Sequence, residues 1–87
     1  MAIKVTLTGR LADILDKELS LPFARTVGEA IIEVANMNAE AKAFLLDEEG
    51  KVRDNIIILV NDENVDDIEQ PLREGDELFL LLPIAGG

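Results

Sequence analysis

The residues of this sequence best suited to chemistry are its last two, Gly86 and Gly87. A carboxyl group on a stem of two glycines has no Cβ beside it, so it can lie extended in a channel too narrow for any other residue. Pro83 stiffens the approach, and Ile84 and Ala85 join it to the glycines. The reaction open to such a group is acyl activation. Its own leaving group is oxide, so another protein must first convert it into a better acyl donor. A terminal Gly-Gly is also what ordinary fraying or a cloning remnant leaves, but here the pair follows directly on a strand-like run and a proline.

Catalysis by the chain's own side chains is disfavoured. The 87 residues include no cysteine and no histidine, which removes the thiol nucleophile, the thiolate and imidazole metal ligands and the imidazole base. Asp62, Glu63, Asn64, Val65, Asp66 and Asp67 form an acidic run without the glycine and closing Glu of a calcium loop. Paired carboxylates need an apolar pocket to keep one protonated near neutral pH, and no pattern here supplies it. Gly9, Gly28, Gly50 and Gly75 are isolated, so there is no phosphate cradle. The expectation is a chain that binds neither cofactor nor metal.

Eighteen Asp or Glu stand against eight Lys or Arg, a formal net charge of −10. Such a field repels nucleic acid and anionic membranes, so neither is expected as a partner, and basic protein surfaces are its natural complement. Met1 to Val5 lead straight into alternating letters without the segments of a secretory leader. The longest uncharged apolar runs, Ile56 to Val60 and Leu78 to Ala85, fall short of the roughly 20 residues of a membrane span. A cytoplasmic protein is expected.

The elements that would carry the glycine tail follow from periodicity. Ile3, Val5 and Leu7 alternate with Lys4, Thr6 and Thr8 as a first strand. Leu11 to Asp16 is compatible with a helical turn or a packed loop. Leu19, Leu21 and Phe23 read as the inward residues of a second strand, with Pro22 near its end or on an edge. Thr26, Val27, Gly28, Glu29 has the form of a capping box, with Glu29 reaching back to the Thr26 amide. The helix it opens buries Val27, Ala30, Ile31, Val34 and Ala35, and Gly28 at its second position costs little. A shorter helix over Ala39 to Leu46 is expected to point Ala43, Phe44 and Leu46 inward. Ile56 to Val60 reads as a strand apolar on both faces, closed by a polar turn over Asn61 to Asn64. Val65 and Ile68 suffice for a brief edge strand. Leu72 is a core plug, Gly75 suits a positive φ, and Glu77 to Leu82 is the last strand.

A single mixed sheet of four to five strands with one face packed on the main helix fits this order: an α+β fold, one domain over residues 1–82 with a flexible tail over 83–87. One helix covers one face only. The other face remains apolar whichever parity turns outward, since Phe79 and Leu81 oppose Leu78, Leu80 and Leu82, and Ile57 and Leu59 oppose Ile56, Ile58 and Val60. A contiguous patch of this kind marks a protein interface unless a loop covers it. Phe79, Leu81, Ile57 and Leu59 are the candidate docking residues. Residues 1–44 carry six acids and five bases, and residues 45–87 twelve acids and three bases. Asp62, Glu63, Asp66, Asp67, Glu69, Glu74, Asp76 and Glu77 are either a solvated surface or a rim that steers a basic partner onto the patch.

From Pro71, Leu72, Arg73, Glu74, Gly75, Asp76 and Glu77, through Leu78 to Leu82, to the ending Pro83, Ile84, Ala85, Gly86, Gly87, the chain resembles the small sulfur carriers of the ubiquitin-like β-grasp superfamily. It is most similar to the small subunit of molybdopterin synthase, with the thiamine-pathway carrier as cousin. Where that family often has two prolines before its last four residues, this chain has Leu82 and Pro83. The resemblance implies a carrier that is not catalytic alone. A ubiquitin-activating-like adenylyltransferase using magnesium ATP would adenylate the Gly87 carboxylate, and sulfur from a sulfurtransferase or cysteine desulfurase would replace AMP to leave a thiocarboxylate. In the molybdopterin branch the tail would enter the large synthase subunit. Gly87 is then the chemical site and Gly86 the steric requirement. The other roles left open are thiamine or tRNA-thiolation sulfur carrier, a modifier forming isopeptide bonds with lysines, and a non-covalent β-grasp adaptor.

Overall fold

The computed structural model describes residues 2–82. Its elements are β1 (Ile3–Leu7), α1 (Gly9–Ile14), β2 (Glu18–Leu21), α2 (Val27–Ala35), α3 (Ala39–Leu45), β3 (Ile57–Val60), β4 (Glu63–Asn64) and β5 (Glu77–Leu81). The strands form one mixed sheet in the order β2-β1-β5-β3-β4. β1 pairs antiparallel with β2 and parallel with β5, and β3 pairs antiparallel with both β5 and β4. The passage from β2 to β3 spans the sheet, which two strands on opposite sides of β1 and β5 require and a hairpin cannot supply. The architecture is the α+β fold expected, the ubiquitin-like β-grasp.

Parity along the strands decides what is core. Ile3, Val5 and Leu7 of β1, Leu78 and Leu80 of β5, and Ile58 and Val60 of β3 are buried against the helices, with Val27, Ala30, Ile31, Val34 and Ala35 of α2 facing them. All five residues of the expected α2 stripe are therefore inside. Leu72 closes one end of this core as anticipated.

The α2 N-terminus is tied down by hydrogen bonds to its cap and to a neighbouring loop. The Glu29 amide donates to Thr26 Oγ1 at 3.2 Å, while the Val27 and Gly28 amides donate to the carbonyls of Gln70 and Ile68 at 3.0 and 2.7 Å. Three of the first-turn donors that a helix leaves unsatisfied thus find partners, two of them in the loop before β5. The reciprocal arm of the capping box differs from expectation: Glu29 Oε1 accepts from the Arg25 amide at 3.2 Å, not from Thr26.

Of the two forms open to Leu11 to Asp16 the structure has the helical one: α1, with Leu11 buried, is joined to α3 by an Arg10–Glu40 ion pair of 2.8 Å. Three other expectations are corrected. β2 stops at Leu21, before Pro22, and Phe23 is 63% exposed instead of inward. In α3 the buried residues are Ala41 and Leu45, with Leu46 just beyond its end, while Ala43 and Phe44 face out. The cap at Asn38, whose Oδ1 accepts from the Glu40 and Ala41 amides at 2.7 and 3.3 Å, sets that phase, and a helical repeat from Ala41 returns at Leu45. Finally, the edge strand is Glu63–Asn64, not Val65 to Ile68. Asn61 and Asp62 alone make the turn, with φ of 51° and 71°, the double left-handed geometry of a two-residue hairpin. Val65 is buried and its amide extends the ladder to Ile58 O at 2.9 Å, whereas Ile68 is exposed.

Candidate functional site

The outward parity of β5 and β3 builds a compact apolar block. Phe79 lies between Thr6 of β1 and Leu59 of β3, and Leu81 lies opposite Ile57. The four candidate docking residues Phe79, Leu81, Ile57 and Leu59 are thus neighbours on the sheet face away from the helices. Leu59, Phe79 and Leu81 are half-buried, and Ile57 is 45% exposed. None of the four belongs to the buried core, so the parity left open by the sequence ends with an apolar face that no described element buries.

The flanks of that face are polar. On the β1–β2 side Thr6 pairs with Glu18 in the ladder, and Lys4 Nζ meets Glu18 Oε2 at 3.2 Å. On the β4 side Leu59 pairs with Asn64. Asp62 and Glu63 occupy the adjoining hairpin, and Glu77 opens β5. The rest of the expected acidic rim is placed differently. The Ile68 and Gln70 carbonyls accept from the Gly28 and Val27 amides, so the loop that carries Asp66, Asp67 and Glu69 runs beside the α2 N-terminus, the end of a helix that favours negative charge. Asp67 Oδ1 also accepts from the Glu69 amide at 2.9 Å, and Asp76 accepts from the Arg73 amide and from Asn61 at 2.8 and 3.0 Å. Those two acids are turn locks.

The Arg73 amide first, and the Asn61 side chain second, hold the Asp76 carboxyl below the usual carboxylate value. The Lys51 amide does the same for Asp47, assisted by the Glu49 amide. Neither acid is arranged for proton transfer near neutral pH. Among the described residues there is no group of three or more acids that could hold a metal ion, and no helix is long and apolar enough to cross a membrane.

β5 is the central strand, and it ends at Leu81 between β1 and β3. The expected chemical residues Pro83, Ile84, Ala85, Gly86 and Gly87 follow it and lie outside the described residues. A feature that the periodicity missed is an open hollow of about 170 Å³ at the other end of the sheet, lined by Ala2, Ile3, Pro22, Phe23, Ala24, Leu72 and Glu74. Pro22 was its one signal, since a proline that ends a strand frees the next residue from the sheet's alternation.

Comparison with known proteins agrees with this architecture. A solution structure of small archaeal modifier protein 1 from Methanosarcina acetivorans matches with 25% identity and a TM-score of 0.83, over 98% of this chain and 95% of that one. The Amycolatopsis orientalis BexX/CysO complex contains a chain with 34% identity and a TM-score of 0.74, over 99% and 100%. A chain in the complex of subunits 1 and 2 of the molybdopterin-converting factor from Helicobacter pylori matches at 24% and 0.66, over the full length of both. No curated protein sequence matches significantly. The ThiS family model matches residues 5–87, from β1 through both terminal glycines. The chain belongs to the ThiS family of ubiquitin-like sulfur carriers and modifiers.

Proposed function

We propose that this protein is a sulfur carrier activated at the Gly87 carboxyl group, and that the block of Phe79, Leu81, Ile57 and Leu59 docks it on its partner enzymes. The observation that carries this reading is the position of that block. It is apolar, buried by no described element, and built on β5, the strand that precedes the glycines in sequence, so a partner that docks on it holds the strand from which residues 83–87 follow. A patch of this kind on the strand before the glycines gives the partner orientation without demanding catalysis from the carrier.

The chemistry belongs to two partners. In the adenylyltransferase, which uses magnesium ATP, the Gly87 carboxylate oxygen attacks the α-phosphorus and pyrophosphate leaves, giving an acyl adenylate. A persulfide sulfur on a sulfurtransferase or cysteine desulfurase relay then attacks the acyl carbon and AMP leaves with the bonding pair. A second thiol attacks the resulting acyl disulfide and releases the thiocarboxylate, the relay sulfur leaving in a disulfide with that thiol. Donation to a pterin precursor in a large molybdopterin synthase subunit is the acceptor step we favour, since the matching Helicobacter chain stands in a complex of converting-factor subunits.

The test is mass spectrometry of the full chain isolated from its native cells, together with ATP–pyrophosphate exchange by its activating enzyme. The expected result is a terminus at Gly87, exchange that depends on it, and a mass gain of one sulfur for one oxygen. A native terminus beyond Gly87 that is never trimmed, or no exchange, overturns the proposal.

One observation favours a second reading. The likeness to the Methanosarcina modifier extends over nearly the whole of both chains, and an acyl adenylate serves isopeptide formation as well as sulfur transfer. Conjugates that survive reductant and hydroxylamine would establish that use.

A further inference from the structure

The hollow beside Phe23 lies at the opposite end of the sheet from the exit of β5. Its lining comes from the start of β1, from the residues just after β2 and from the loop before β5. The Leu72 amide donates to Arg25 O at 2.8 Å, Thr26 bridges to Pro71, and the Gly75 amide donates to Ala2 O at 3.2 Å. These bonds hold the three segments together, so the hollow is built on fixed backbone. β1 and β5 run parallel, with Leu7 beside Leu80. Ile3, four residues earlier, is therefore about 13 Å back along the strand. The hollow shares no residue with the block of Phe79, Leu81, Ile57 and Leu59.

At about 170 Å³ the hollow is smaller than the roughly 300 Å³ at which small-molecule sites begin, but it suits one aliphatic side chain. Six of its seven lining residues are apolar, and Phe23 presents 63% of its surface to solvent beside it. The one charged residue in the lining is Glu74, which forms no ion pair among the described residues. Arg25 and Arg73 flank the hollow in sequence but do not line it. The field of the whole chain, net −10, has the same sign as Glu74.

The geometry points to a second docking site for a protein partner, one that presents an aliphatic anchor next to an arginine. The anchor enters the hollow and the guanidinium spans the Phe23 ring and the Glu74 carboxylate. An arginine serves both contacts because its plane stacks on an aromatic face while its edge pairs with a carboxylate. The site lies apart from the residues proposed to dock the activating enzyme.

The experiment uses the uniformly labelled full chain and two probes, N-acetyl-leucyl-arginine amide and N-acetyl-leucyl-glutamate amide, followed by amide chemical shifts. The arginine probe is expected to give saturable shifts at Ala2, Ile3, Ala24, Leu72 and Glu74 and none around Leu59 and Phe79. The glutamate probe is expected to bind at least about threefold more weakly, and Glu74→Gln to weaken the arginine probe by about the same factor, as an exposed ion pair allows. Phe23→Ala, at an exposed position that leaves the core untouched, is expected to weaken it by about tenfold. No saturable shift, equal binding of the two probes, or shifts confined to the Phe79 face would each overturn the assignment.

Discussion

Asn61 and Asp76 clasp each other across the entry to the central strand. Asn61 Nδ2 donates to Asp76 Oδ1 at 3.0 Å, Asn61 Oδ1 accepts from the Glu77 amide at 3.0 Å, and the Asn61 amide donates to Glu77 O at 2.9 Å. Asn61 also has a left-handed backbone, which asparagine tolerates better than most residues. The side chain that permits the β3–β4 turn therefore also fastens it to β5, beneath the apolar block.

Asp76 makes this clasp sensitive to acid. Its carboxylate accepts from the Arg73 amide and from Asn61, which together hold its pKa below the ordinary 3.8. A carboxyl with a depressed folded-state pKa contributes its full stabilisation above the unfolded value and loses it as pH falls through the folded one. Urea midpoints should therefore be flat in this respect at neutral pH and decline below about pH 4. Asp76→Ala should cost about 1 to 2 kcal/mol at pH 7 and show a shallower decline in acid than the parent. An unchanged acid profile would mean that Asp76 is replaceable by water.

The outward block and the inward core should separate cleanly under mutation. Ile57→Asp and Phe79→Asp place charge on the outward face, so each should keep the fold and lower the urea midpoint less than a core truncation does, Phe79→Asp more than Ile57→Asp because Phe79 is half-buried. Binding to the activating enzyme should weaken by about 30-fold or more, the effect expected at the centre of an interface. Leu80→Ala, one residue from Phe79 but wholly buried, should instead lower stability by about 2 to 5 kcal/mol. Calorimetric titration alongside denaturation distinguishes the two outcomes. Normal binding by both aspartate variants would dismiss this face as the docking surface.

These contrasts show what the sequence could and could not disclose. Strand parity was legible because period two is rigid: Ile3, Val5 and Leu7 needed no structure to be assigned inside. The identity of the four docking residues was legible for the same reason, although the direction of each parity became clear only when α2 took its side. What failed were phases set by single caps and turns. Phe23 continued the alternation of β2 on paper, but Pro22 ended the ladder. Phe44 was the largest apolar residue in its segment, yet the Asn38 cap turned it outward. The loop over 66–70 carries too few apolar letters to reveal that its Ile68 and Gln70 carbonyls hold the start of α2.

Gly28 illustrates a contact that composition hides. A Cβ at this position would lie 3.2 Å from Ile68 O and 3.4 Å from Ile68 Cβ, and the same carbonyl already accepts from the Gly28 amide at 2.7 Å. The obstacle is bonded backbone, which has little room to yield. In an open helix Gly→Ala would gain up to about 1 kcal/mol of propensity. Here the gain should be cancelled, and Gly28→Val should cost about 1 to 3 kcal/mol as overpacking does. Thr26→Ala, which removes the neighbouring cap, should cost about 1 kcal/mol. A Gly28→Ala protein clearly more stable than the parent would show that the loop can retreat.

Charge gives the last prediction. Eighteen acids and eight bases form only two ion pairs among the described residues, Lys4–Glu18 and Arg10–Glu40, and all four side chains are about half exposed or more, where such pairs contribute little. Repulsion among the remaining carboxylates opposes the compact state and is screened by salt, the screening length falling from about 30 Å at 0.01 M to about 10 Å at 0.1 M. Net repulsion should therefore outweigh pairing. The urea midpoint should rise with added sodium chloride, most of the gain should arrive below about 0.2 M, and potassium chloride should act alike, since screening depends on ionic strength and not on ion identity. A midpoint that falls over this range would mean that the two ion pairs outweigh the excess of negative charge, and a gain that appears only near 1 M would point to exclusion of salt from the surface instead of screening.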